Sequence, residues 1–188
     1  MIIYWIAAYF IGNVLTAWWV GKWYGIDLRQ QRSGNLGARN AGAVIGRAAF
    51  VLTFLGDAGK SVLVLWIGFY FNFELWTIAV GGLFVITGHL FPLWLKGRGG
   101  KGIASFIGVS LFLTPGLFLI MFIAFALAFP FIKSATLTML VSYFAFVAAA
   151  VFSHSLGYTW PLLAALALII FKHQQDIKES YKVRFSKM

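Results

Sequence analysis

The sequence predicts an all-α polytopic membrane protein with seven transmembrane helices, of which the fourth and fifth are short. Composition is the first observation: the 188 residues are 61% hydrophobic and 11% charged, with a mean hydropathy of +0.87, whereas soluble domains are about a quarter charged. Apolar runs of a length that can cross a bilayer, about 20 residues, are the second. The third is the placement of the 15 Lys and Arg residues, nearly all in the segments between those runs.

The runs cover residues 2–21, 48–71, 75–95, 103–129, 135–152 and 156–171. The first begins at Met1 without a basic leader and reaches Trp23, too long for a signal-peptide core, so it reads as a retained span. With the N-terminus outside, the loop from Lys22 to Arg47 is cytoplasmic and carries five basic residues, and the turn from Asn72 to Glu74 is external and carries none. Lys96, Arg98 and Lys101 then lie inside. A single crossing by residues 103–129 would put Lys133 and the basic tail from Lys172 to Lys187 outside, against the positive-inside rule. Splitting that run at Thr114–Gly116 gives seven helices, a cytoplasmic C-terminus and a basic-free external turn from Ser153 to Thr159. One transmembrane domain spanning 1–188 is expected.

Within the spans, Asp57 and Lys60 stand three residues apart on one helical face, as a structural ion pair or a functional pair facing the bundle interior. The chain has no Cys, three His and five acidic residues, which excludes a disulfide framework and thiolate chemistry and leaves little for a metal cage. No metal and no cofactor are expected. The net charge of +10 is explained by topology, so no nucleic-acid partner is expected. Nothing demands an obligatory protein partner.

Two cytoplasmic segments suit anion capture. Arg32 to Arg47 interleaves Gly34, Gly37, Gly42 and Gly46 with Ser33, Asn35, Arg39, Asn40 and Arg47. Glycine lets backbone N–H groups converge on an oxyanion, and arginine offers paired donors to phosphate. Gly88 to Ser105 contains GRGGKG at 97–102, placing Lys101 before an apolar helix, with His89 close by as an acid, a base or a phosphate donor. A nucleotide P-loop is excluded because Gly102, not Ser or Thr, follows Lys101 and no strand precedes the loop. A third segment begins at Lys172, where His173 and Asp176 share a helical face. Lys178, Lys182, Arg184 and Lys187 read as an anchoring basic tail, and His154 as a residue of the external turn.

Together these segments resemble the bacterial acyl-phosphate-dependent glycerol-3-phosphate acyltransferase (PlsY) family, with its SGNxGATN-like loop, GHxFPxFxxxKGGKGxAT-like loop and HxxNIxR-like tail. Ser33, Gly34, Asn35, Gly37, Ala38, Asn40 and Gly46 match the first; Arg39 replaces Thr, and Ala43 stands where many members have Arg. Gly88, His89, Phe91, Pro92, Lys96, Gly99, Gly100, Lys101, Gly102 and Ala104 match the second, with Trp94 for Phe and Arg98 for Lys. In the third, His173 and Ile177 fit, Asp176 replaces Asn and Glu179 replaces Arg.

The resemblance implies transfer of a fatty acyl group from acyl phosphate to glycerol 3-phosphate, giving lysophosphatidic acid and phosphate at the start of phospholipid synthesis. It places the protein in the bacterial inner membrane, with its site facing the cytoplasm and its acyl donor held at the lipid boundary. Ser33, His89, Lys101 and His173 are then the expected catalytic residues. Asn35, Arg39, Asn40, Arg47, Lys96, Arg98, Gly99, Gly100, Gly102 and Asp176 are the expected substrate-binding residues. With no Cys, and no evident His/Asp partners for Ser33, direct attack by the glycerol hydroxyl is expected, with His89, His173 or a substrate phosphate oxygen taking the proton. An organic-phosphate transporter is the rival reading; it needs a polar path through the bundle. A membrane scaffold would leave the two phosphate-suited loops unexplained.

Overall fold

The computed structural model describes residues 1–185; the predicted tail residue Lys187 lies outside them. Among the described residues there are ten α-helices and no strand: α1 (Ile2–Gly12), α2 (Thr16–Trp23), α3 (Ala38–Val44), α4 (Arg47–Tyr70), α5 (Leu75–Leu90), α6 (Ile103–Leu113), α7 (Pro115–Ile132), α8 (Ala135–Phe152), α9 (Leu156–Lys172) and α10 (Gln174–Phe185). Five segments are long and apolar enough to cross a membrane: Ile2–Trp23, Arg47–Tyr70, Leu75–Leu95, Pro115–Ile132 and Ala135–Phe152. A sixth forms if α9 and α10, bent by 62° at His173, count as one.

The centre of the bundle is α5, packed by α1, α4, α6 and α9. Its span is 61% buried, against 6% for α7, so α7 is the lipid-facing flank and rests on α8. The helices meet through small residues. A Cβ on Gly12 would lie 2.1 Å from the Val85 carbonyl oxygen, and one on Gly88 2.1 Å from that of Tyr9, so α1 and α5 cross backbone on backbone. Between α4 and α6, Gly108 abuts the Ala58 carbonyl in the same manner. Lipid tails are as apolar as the side chains, so close packing of this kind must supply the helix affinity that water exclusion supplies in soluble proteins.

One expected span carries a break, and one expectation needs correction. The first span is broken: α1 stops at Gly12, and α2 starts only at Thr16. Asn13 marks the interruption, its amide nitrogen donating to the Tyr9 carbonyl at 2.7 Å and its Oδ1 accepting from the backbone N–H of Leu93 at 2.8 Å. In the run 103–129 the break falls at Thr114, which has left the helical region (φ −136°, ψ 61°), the region Pro115 disfavours for its predecessor. The expectation of two short helices, however, holds for one. The 11-residue α6 is short, about 16 Å at 1.5 Å per residue, whereas α7 has 18 residues and reaches about 27 Å. Proline at the first position starts a helix as readily as it ends one, and the apolar run carries on to a left-handed Lys133.

Candidate active site

The site stands on the break in the first span. Among the described residues the carbonyls of Gly12 and Val14 at the break find no backbone partner, the first N–H groups of α2 have none within the helix, and α4 supplies both signs of charge to them. Lys60 Nζ donates to the carbonyls of Gly12 at 3.2 Å and Val14 at 2.6 Å. Asp57 Oδ1 accepts from the Thr16 hydroxyl at 3.1 Å and faces its backbone N–H at 3.4 Å. Cation at a helix C-terminus and anion at an N-terminus is the arrangement that helix dipoles favour. The two side chains pair directly at 2.9 Å, with Lys60 8% and Asp57 1% exposed.

On the same cluster sits His89, buried at the end of α5, its Nδ1 2.9 Å from Lys60 Nζ and 3.5 Å from Asp57 Oδ1. Its other face meets the glycine loop. A Cβ on Gly100 would fall 2.1 Å from His89 Nε2 and 2.9 Å from the Leu36 carbonyl oxygen, so only glycine admits the imidazole and the first loop together at this point. Gly100 also donates its N–H to the His89 carbonyl at 3.1 Å. Gly102 caps α6 in a left-handed conformation, φ +81°, against Leu90 and Ile169.

The three segments singled out in the sequence converge here. Lys101 and Asp176 form an ion pair joining the second loop to the tail. His173 lies within electrostatic reach of Lys101, Asp176 and Arg39, one group from each segment. Its Nδ1 is 2.8 Å from the Ile169 carbonyl; a carbonyl only accepts, so Nδ1 carries the proton and the Nε2 of the neutral ring is an acceptor. Among the remaining expected residues, Ser33, Arg39 and Arg47 are exposed, Asn35 and Gly99 half-buried. Asn40 is buried, and its amide holds the loop by donating to the carbonyls of Leu28 at 3.1 Å and Gln31 at 3.3 Å.

Lys96 and Arg98 face elsewhere. With Arg29, Gly34, Trp94 and Leu95 they line a cavity of about 420 Å³. Arg29 there is held by Asp27 through Nε at 2.9 Å and NH2 at 2.7 Å, a hydrogen-bonded pairing that keeps the Asp27 carboxyl below its ordinary value. Among the described residues, no group of three or more His, Cys, Asp or Glu is placed to hold a metal.

Several supports carried no sequence signal. Asn13 ties the helix break to the second loop, with Trp94 Nε1 donating to its carbonyl at 3.0 Å. Tyr9 donates its hydroxyl to Phe91 at 2.7 Å. Lys172, expected as a tail residue, lies over the Phe91 ring and donates to the Gly97 carbonyl at 3.1 Å. Arg184 donates to the Phe131 carbonyl at 3.2 Å and so satisfies the end of α7.

Known proteins share these features. The sequence profile of the family described as glycerol-3-phosphate acyltransferase matches residues 2–182. Glycerol-3-phosphate acyltransferase 1 of Bacillus anthracis is 48% identical over 107 residues, 56% of this chain and 57% of that protein, so the match spans little more than half of that relative. Glycerol-3-phosphate acyltransferase of Pseudomonas paraeruginosa is 32% identical over 184 residues, 95% of both chains. The crystal structure of PlsY (YgiH), an integral membrane glycerol 3-phosphate acyltransferase, in its glycerol 3-phosphate form, superposes with a TM-score of 0.86 at 26% identity, covering 97% of this chain and 92% of that one. Its lysophosphatidic acid form gives 0.80.

Proposed function

Since the chain belongs to the glycerol-3-phosphate acyltransferase family, we propose that it transfers a fatty acyl group from acyl phosphate to glycerol 3-phosphate, releasing lysophosphatidic acid and phosphate. The observation that carries this reading is the joining of the three separate segments, by the Lys101–Asp176 ion pair and by Gly100 packed against His89 and the Leu36 carbonyl. That junction carries the lysine a substrate phosphate needs.

In this reading Lys101 exchanges Asp176 for a substrate phosphate beside Gly102 at the start of α6, while Gly99 and Gly100, expected as donors to substrate, shape the loop instead, their N–H groups spent on the carbonyls of Leu90 and His89. Arg39 and Ala43 lie four residues apart on α3, hence on one face. Arg39 thus delivers a guanidinium from one turn before the position at which many relatives have theirs. Ser33, Asn35 and Arg47 border the entrance, while Lys96 and Arg98 draw anions toward it from the adjoining cavity. The glycerol hydroxyl oxygen bonds to the acyl carbon, the carbon–oxygen bond to phosphate breaks, and phosphate leaves with the electron pair. The hydroxyl proton passes to His173 Nε2 or to a phosphate oxygen. Acyl phosphate is a mixed anhydride with a good leaving group, so orientation and charge stabilisation suffice, and no acyl-enzyme is needed.

The membrane arrangement follows the distribution of basic residues. The crossings are α1–α2, α4, α5, α6, α7, α8 and α9, with the N-terminus outside, the C-terminus inside and the site at the cytoplasmic face of the bacterial inner membrane. Residues 1–188 act as one transmembrane unit without cofactor or obligatory protein partner.

Purified protein given synthetic acyl phosphate and glycerol 3-phosphate should release phosphate only when both are present. Release without the acceptor, or activity only with acyl-CoA or acyl-carrier protein, would overturn the assignment. Lys101→Ala should lower turnover by about 10²-fold or more, the scale of losing a charge-stabilising donor, while membrane insertion, followed by fractionation, is retained.

A further inference from the structure

Two contacts tie the second loop to the tail, and an arriving substrate treats them differently. The first is the Lys101–Asp176 ion pair. A phosphate and the Asp176 carboxylate compete for the same ammonium, so an anion seated on Lys101 releases this tie. The second is made by Lys172, the last residue of α9 and the neighbour of His173 at the 62° bend into α10. Its Nζ donates to the Gly97 carbonyl at 3.1 Å and stands 4.6 Å from the centre of the Phe91 ring. Both partners are uncharged and belong to the loop itself, so a phosphate on Lys101 competes with neither. They are also fixed in place. The Phe91 carbonyl accepts from the Tyr9 hydroxyl at 2.7 Å, the N–H of Leu93 donates to Asn13 Oδ1 at 2.8 Å, and Gly97, left-handed at φ +74°, donates its N–H to the Pro92 carbonyl at 3.0 Å. Among the described residues no backbone N–H reaches the Gly97 carbonyl, and no carboxylate pairs with Lys172.

We propose that Lys172 is a positioning residue: it clamps the second loop to the tail at Gly97 and Phe91, and so keeps the loop that carries Lys101 docked on the His173 turn after a substrate phosphate has displaced Asp176. In the resting protein the two ties duplicate each other. In the loaded protein only the Lys172 tie is left, a charged donor on a carbonyl backed by a cation over an aromatic face.

Asp176→Ala breaks the Lys101 tie without any substrate and so imitates the loaded state. In detergent micelles, amide hydrogen exchange of residues 96–101 and 174–178 in this variant should stay within about threefold of wild type. Lys172→Met/Asp176→Ala should exchange there about tenfold faster or more, the scale of one hydrogen bond from a charged group. Lys172→Arg/Asp176→Ala, which keeps a cation and a donor, should behave as Asp176→Ala does. Equal exchange in Asp176→Ala and Lys172→Met/Asp176→Ala, whether slow or fast, would overturn the proposal. Should the methionine double variant not fold, Asp176→Ala still decides, because a loosened junction in that variant contradicts a clamp at Lys172.

The kinetic half of the inference rests on the acyl-transfer reading. Lys172→Met should lower kcat about tenfold while KM for glycerol 3-phosphate stays within about threefold, since the clamp matters once Lys101 has taken the phosphate. Lys172→Arg should recover kcat to within about threefold of wild type. A raised KM at unchanged kcat would make Lys172 a ligand of the phosphate, and equal loss in the Met and Arg variants would deny that cation and donor are what matter; either result overturns the clamp. If the wild-type protein transfers no acyl group, the acyltransferase reading fails, and the exchange measurements still test the clamp.

Discussion

Asp176 is the side chain whose chemistry departs most sharply from the pattern it otherwise fits. A carboxylate beside Lys101 holds the lysine in place but also meets any incoming phosphate with like charge. The pair is about one-third exposed, 28% and 32%, so water screens it, and the repulsion is on the order of 1 kcal/mol. Asp176→Asn should therefore lower KM for glycerol 3-phosphate about fivefold, measured by initial rates at fixed acyl phosphate. A different residue-scale test lies in the core. The Tyr143 hydroxyl is buried without a hydrogen-bond partner among the described residues, and removing an unsatisfied polar group relieves its desolvation, worth about 1 kcal/mol or more. Tyr143→Phe should raise the thermal midpoint in detergent. Residue identity made Arg39, Lys101, His173 and Asp176 legible, because charge at loop positions has few structural uses in a membrane protein. It did not reveal Asn40 as a loop brace or Lys172 as a strut on Gly97, because both act through backbone carbonyls that leave no trace in composition. Lys96 and Arg98 showed the same limit: their charge was legible, their orientation toward Arg29 was not.

Elements were legible where apolar length alone decides them. The runs 135–152 and 156–171 are reproduced by α8 and α9 to within a residue, and the interruption at Thr114–Gly116 was correctly sited. Proline marked that break; at Asn13 no proline does, and the break there is held open by Asp57 and Lys60, more than 40 residues downstream. Helix packing yields a sharper prediction. Gly88→Ala forces a methyl to within 2.1 Å of the Tyr9 carbonyl, so α1 and α5 must part. A loss of about 1–3 kcal/mol is expected, as for an overpacked core, read as a lower thermal midpoint. Gly59→Ala on α4, where nothing lies within 4 Å, is the control and should be neutral or mildly stabilising.

At the scale of the molecule, the proposed order of the helices in the bilayer rests on the distribution of positive charge, and the missing cysteines make that order easy to test. Single cysteines can be introduced without removing any native one. Ser33→Cys should react with a membrane-impermeant maleimide only after cells are opened, and Ser153→Cys should react in intact cells; the reverse pattern would invert the proposed orientation. The bundle organises itself around α5, whose start is fixed by Trp5 donating to Thr77 at 3.0 Å and whose end carries His89. The broken first span also bears on how the protein is made. Carbonyls left unpaired in hydrocarbon cost several kcal/mol each, and among the described residues those of Gly12 and Val14 have only Lys60 to answer them. The N-terminal segment leaves the ribosome well before α4, so it must first enter lipid as an unbroken helix. It can bend only once α4 arrives beside it, which makes the mature kink a product of assembly and ties completion of the active-site floor to the arrival of the second span.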